Sequence, residues 1–170
     1  MSIIAPIPVY PDSTSVVLKR PEELCSSKVR LGFEYWLILR GDRPFPGRDE
    51  IKPREIAAVL SHMVLVKVVN ERADYQFRIV GDHASRGYDV DLTNRMLSEV
   101  ATLLPRASRN WNDIFGQVVV SGVALAAHVS VGHDAPDVNY TEAEVVFLPL
   151  GGMEQRVEYV LCFVEHVLKA

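Results

Sequence analysis

Cysteine is scarce in this chain of 170 residues, and its two thiols are far apart. Cys25 lies in a polar segment and Cys162 in an apolar run, and neither has a second cysteine at metal or redox spacing. That excludes a disulfide framework and a CxxC redox centre, and leaves two reduced thiols, Cys162 packed as a small hydrophobe. Basic charge is also missing. The net charge is −4, and the basic residues, densest at Arg40, Arg43, Arg48, Lys52 and Arg54, form no stripe of the kind nucleic-acid binding requires. Long apolar runs are absent. Residues 118–131 are interrupted by Ser121, Gly122 and His128, short of the ~20 residues a membrane-spanning helix needs. The opening MSIIAPIPVYPDS has no basic start and is broken by Pro6, Pro8 and Pro11, so it does not read as a signal peptide. A cytoplasmic protein is expected, with no nucleic acid and no membrane among its partners. Nucleophile elbows and phosphate-binding loops are missing as well: the Gly81–Gly87 spacing lacks a lysine or a third glycine.

What is present is an ordinary globular composition, 48% hydrophobic and 24% charged. A domain of this size hides roughly 70% of its unfolded surface. Residues 1–27 read as an extended arm, since proline fixes φ and removes donors. Residues 28–39 read as a helix, with Val29, Phe33, Trp36 and Leu37 on one stripe and Gly41 as its stop. A Pro- and Gly-broken loop follows, and Pro53 opens a short helix carrying Ile56, Val59 and Leu60.

From His62 onward the apolar period changes to two or to continuous apolarity. Residues 63–69 and 75–80 form a hairpin, the second strand placing Tyr75, Phe77 and Ile79 on one face. Residues 83–98 hold short helical pieces. A long helix over 107–120 turns Trp111, Phe115, Val118 and Val119 to one side and ends at Gly122. Strands at 123–131, 141–150 and 156–168 close the chain as a meander. The fold class is therefore α+β: a five-stranded antiparallel sheet with inserted helices and an N-terminal helical extension. Residues 28–61 hold the N-terminal helices and loop, 62–170 the core, and 28–170 make one domain.

The last strand is apolar on both faces, so both must be covered. The inserted helices cover one. The N-terminal helix or a second subunit covers the other, which predicts a homodimer with Phe33, Trp36, Leu37, Val160, Cys162 and Val164 at its interface.

Several segments carry a resemblance: YWLILRGDRPFPGRDEIKPREI (35–56), FRIVG (77–81), GYDVDLT (87–93) and FLPLGG (147–152). Together with the element order they resemble a bacterial family of short, single-domain PAS-like proteins, over roughly residues 30–168. Trp36, Leu39, Arg40, Gly41, Arg43, Pro46, Arg48, Ile51 and Pro53 fall on that family's pattern. The sequence departs at Asp82, where the family usually has a threonine-like residue, and at Asn94, where it tends to have glycine. The resemblance implies a PAS-like sensor fold and a sensory or protein-interaction module that binds a small molecule or a partner protein. It would signal through dimer or helix rearrangement, without catalysis. Lacking an output domain, it would pass its signal through residues 28–52.

The cavity of such a fold lies between the long helix and the sheet, where Tyr75, Phe77, Trp111, Phe115, His128 and Tyr159 are the candidate ligand-binding residues; plain core packing is the competing reading. No cofactor is expected. The long helix has no histidine for a haem iron, and neither cysteine lies where a flavin photosensor needs one. No metal site is expected either, because His128 and His133 share no face. Glu142 and Glu144 repeat at strand spacing and read as a solvated stretch. Arg40, Arg43 and Arg48 read as surface partners of Asp49, Glu50 and Glu55, worth roughly 0–1 kcal/mol each. Two other functions are open: a small isomerase- or hydrolase-like enzyme using Tyr75, Asp82, His83 and His128, and a structural adaptor without a ligand.

Overall fold

A computed structural model of the chain describes residues 14–132, 135, 137–152 and 154–170. One antiparallel sheet runs through it, made of β1 (Ser15–Lys19), β2 (Met63–Val69), β3 (Asp74–Val80), β4 (Leu125–Ser130), β5 (Tyr140–Gly151) and β6 (Val157–Leu168). Their order across the sheet is β1-β4-β5-β6-β2-β3. The α-helices among the described residues are α1 (Ser27–Arg40), α2 (Asp82–Ser85), α3 (Leu97–Val100) and α4 (Pro105–Ser121), with a 3-10 helix at Pro53–His62 leading into β2.

Five of these strands, β3-β2-β6-β5-β4, form the expected two-plus-three sheet. The sixth corrects the expected arm. Ser15–Lys19 pairs with β4, from Ser15 opposite Ser130 to Lys19 opposite Ala126. The run SVVLK is rich in β-branched residues and leans Val16 and Leu18 onto the core. It also completes β4, which would otherwise be an open edge. The rest of the expected arm, residues 1–13, lies outside the described residues.

Glu144 shows how β1 is held. It is buried rather than solvated, while Glu142 is exposed. Its carboxylate accepts from Lys19 Nζ at 2.5 Å, from the Ser26 amide at 2.6 Å and from the Cys25 amide at 3.0 Å. One side chain thus ties β1, the start of α1 and β5 together. Ser26 in turn caps α1 by accepting from the Val29 amide at 3.3 Å.

Both faces of the sheet are covered within the chain. On one, α1 and the 3-10 helix bury Val29, Phe33, Trp36, Ile56 and Val59 against Leu65, Leu148, Leu161 and Phe163. Trp36 donates its indole N–H to the Pro149 carbonyl at 3.0 Å, so this large ring is packed without stranding its polar atom. On the other face, α3 and α4 bury Val100, Ile114, Phe115 and Val118 against Tyr75, Phe77, Phe147, Val160 and Cys162. The expected interface residues Phe33, Trp36, Val160, Cys162 and Val164 are therefore inside the chain itself, none more than 6% exposed, and Leu37 packs at the rim of the α1 core. The N-terminal helix supplies the cover for which a second subunit was the alternative. Arg43 pairs as expected, with Glu50 at 2.7 Å, whereas Arg40 stacks on Trp36 and Arg48 on Tyr159.

Candidate functional site

A cavity of about 40 Å³ lies between α4 and the sheet. Phe77, Trp111 and Phe115 line it, joined by Tyr88, Cys162 and His166. Tyr75 packs on Phe115 just behind that wall, ring centroids 5.2 Å apart. A local irregularity shapes one wall. Leu65 faces Ile79 but Val66 faces Phe77, so Arg78 is bulged out of register. Past the bulge Val80 lines the cavity, while Ile79, which the alternation places beside Phe77, is partly exposed.

Two expected ligand-binding residues lie elsewhere. Tyr159 packs on the α1 side, with Leu161 and Phe163 of the same parity, and Arg48 over its ring. His128 shares the parity of Ala126, which also faces α1, and stands opposite Val17 and Glu144. Cys162 and Val164, expected at a subunit contact, line the cavity instead. The β6 assignment is reversed because both of its faces are apolar: alternation separates two sets of residues but does not say which helix each set meets. Nor do Tyr75, His83 and His128 converge. Tyr75 lies under α4, His83 stands in α2 and His128 sits on the opposite face of the sheet.

The cavity wall is uncharged at neutral pH. Burial raises the Tyr88 hydroxyl and the Cys162 thiol well above their ordinary ranges, and pushes Tyr140 up to about 12. Burial, with a smaller contribution from His83, pushes His166 down to about 4. His166 stacks on Tyr140 at 4.5 Å, and its Nδ1 is buried without a hydrogen-bond partner. The wall thus combines apolar aromatic surface with one polar atom in need of a partner, and about 40 Å³ holds one or a few waters.

Next to His166 the fold assembles a group that nothing in the sequence pattern announces. His62 ends the 3-10 helix, His83 lies in α2, and Glu165 precedes His166 in β6. Ligand atoms of His62, His83 and Glu165 lie within 4.8 Å of one another, the only such group of three His, Cys, Asp or Glu among the described residues. Glu165 Oε2 is 3.0 Å from His62 Nδ1 and 3.7 Å from His83 Nε2. Yet no hydrogen-bond donor is directed at this buried oxygen. His62 Nδ1 is 2.9 Å from the Val164 carbonyl, and His83 Nε2 accepts from the His166 amide at 3.3 Å. The two imidazoles lie 4.1 Å apart. Burial first, and His62 second, lower the pKa of His83. His133, the other histidine weighed as a ligand with His128, lies outside the described residues.

The profile of the family described as PAS domain matches residues 25–164. No curated protein and no solved structure matches the chain.

Proposed function

The chain belongs to the PAS domain family, and we propose that it is a sensory or protein-interaction module that converts occupancy of the space under α4 into a change at α1. The observation that carries this reading is the position of β6. Cys162 and Val164 line the cavity, and Leu161 and Phe163, which alternate with them, pack against α1. A ligand that displaced β6 from one side would press on α1 from the other. Ligand sites for drug-sized molecules occupy about 300–1,000 Å³. A cavity of about 40 Å³ therefore has to open before it admits one. That opening, with α4 or residues 81–104 moving outward, is the signal.

The outer side of α1 offers the route out. Leu31 and Ile38 are two helical turns apart on one face and exposed, Ile38 by 79%. We assign this face to a homodimer contact whose geometry the cavity biases. Native mass spectrometry of protein purified from its expression host tests both halves together. A dimer carrying extra mass supports the sensor. A bare monomer with α1 intact overturns the dimer and the output route with it.

The small cavity also favours a second reading, an adaptor that holds no ligand and works through α1 alone. A dimer at bare polypeptide mass, unchanged by exposure to small-molecule mixtures, selects the adaptor.

A further inference from the structure

We propose that His62, His83 and Glu165 form a binding site for a divalent transition-metal cation of the zinc class. Two imidazoles and a carboxylate are a recurrent three-ligand set for zinc, leaving further positions to water. Metal–ligand bonds near 2.0–2.1 Å place tetrahedral ligand atoms about 3.3 Å apart. The separations of 3.0 and 3.7 Å around Glu165 Oε2 straddle that value, and all three ligand atoms lie within 4.8 Å. Small side-chain rotations suffice.

Chemistry selects the cation. Magnesium and calcium take six or more oxygen ligands or keep their water, whereas imidazole nitrogen suits zinc, cobalt, nickel and copper. Loading needs two adjustments. His62 carries its proton on Nε2 rather than between Nδ1 and the Val164 carbonyl. His83 turns its Nε2 lone pair from the His166 amide, a long contact at 3.3 Å, to the ion. The cation then meets Glu165 Oε2, the buried oxygen at which no donor points. Glu165 is the most open of the ligands, its side chain 40% exposed against 19% for His83 and 9% for His62.

The three ligands come from separate elements, and two have neighbours in the cavity wall: Ala84 follows His83, and Val164 and His166 flank Glu165. A bound ion would clamp α2 onto β6 at the end of the cavity. The site rests on its own ligand geometry and stands independently of whether the cavity takes an organic ligand.

The test uses tag-free full-length protein stripped with EDTA. It is titrated with zinc chloride by calorimetry and with cobalt chloride by visible ligand-field absorption. One equivalent per chain is expected, with no response to magnesium chloride. The melting temperature should rise by about 5–10 °C at a hundredfold excess over Kd. His83→Ala and Glu165→Gln, both at partly exposed side chains, should each weaken binding at least tenfold, and His128→Ala should leave it unchanged. No heat and no absorption with either metal overturns the site. So does binding that survives undiminished in Glu165→Gln and in folded His83→Ala, which would locate the ion elsewhere.

Discussion

Gly32 of α1 and Phe163 of β6 touch with no room for a side chain between them: a β-carbon on Gly32 would fall 2.3 Å from Phe163 Cδ2 and 2.4 Å from Cγ. Phe163 is fully buried and cannot swing aside. The pair sets how closely α1 approaches the sheet, and so how directly movement of β6 reaches α1. Alanine at 32 gains up to about 1 kcal/mol in helix propensity. Against that stands the overpacking of a filled core, about 1–3 kcal/mol or more. Gly32→Ala should therefore lose about 1–2 kcal/mol in urea unfolding, and Gly32→Val more. In a Phe163→Leu background the Gly32→Ala loss should shrink. Equal losses in both backgrounds would show that the ring is not what alanine meets.

Much of this fold is legible in the sequence. β2 occupies the nearly continuous apolar run MVLVKVV, and α4 follows the stripe of Trp111, Phe115 and Val118. The stop signals at Gly41 and Gly122 mark helix ends where φ is +57° and +65°. What is not legible has physical causes. β1 is a five-residue strand between prolines and looks like arm until its partner β4 is known. The bulge at Arg78 leaves no compositional mark, yet it exchanges Ile79 for Val80 in the cavity wall. The two faces of β6 are equally apolar. His62, His83 and Glu165 sit in three elements far apart in sequence, and only the folded sheet brings them together.

Glu144 gives the chain a testable acid limit. Burial raises its carboxyl, but Lys19 and the amides of Cys25 and Ser26 outweigh burial and hold it below the ordinary range. Its folded pKa is thus lower than its unfolded one. The stability it contributes is complete above the ordinary carboxylate range and is lost as pH falls through the folded value. Glu144→Gln should lose about 2–4 kcal/mol at pH 7, as expected for breaking a buried charged pair, and the gap to the parent should narrow below pH 4. Urea midpoints across that range measure both. Trypsin provides a second readout, because loosening β1 exposes cleavage after Lys19; the bond after Arg20 leads into Pro21 and resists the enzyme. A constant gap across the range would mean that the carboxylate charge is not what holds β1.

Asn94 has φ +64°, in the left-handed region, and its amide donates to the Phe77 carbonyl at 2.7 Å. Glycine takes this backbone at no steric cost, and asparagine is the common alternative because its short polar side chain tolerates it. Asn94→Gly should change stability by less than about 0.5 kcal/mol. Asn94→Val should cost about 1–2 kcal/mol, since a β-branched residue fits this conformation poorly. Thermal unfolding of the two variants checks the contrast. If both behaved alike, the asparagine side chain rather than the backbone would govern the turn.

Phe115 separates the small cavity from the larger one it could become. Its ring is 1% exposed and packs between Tyr75 and Phe147, with centroids at 5.2 and 6.1 Å. Phe115→Ala should cost about 3–5 kcal/mol, through lost contacts and the void left behind. That void would join the existing 40 Å³, and a space walled mainly by apolar rings takes up benzene-like molecules. Indole or benzene should therefore raise the melting temperature of Phe115→Ala and leave the parent unmoved. This separates two explanations for the narrow cavity. If the variant binds and its oligomeric state shifts on binding, the space under α4 is coupled to α1, and only volume kept the parent from responding. If it binds with no shift in assembly, the two faces of β6 move independently, and the adaptor reading gains over the sensor. If it neither binds nor stabilises, the helix collapses onto the sheet when the ring is removed, and α4 is too compliant to act as the wall of a sensing pocket.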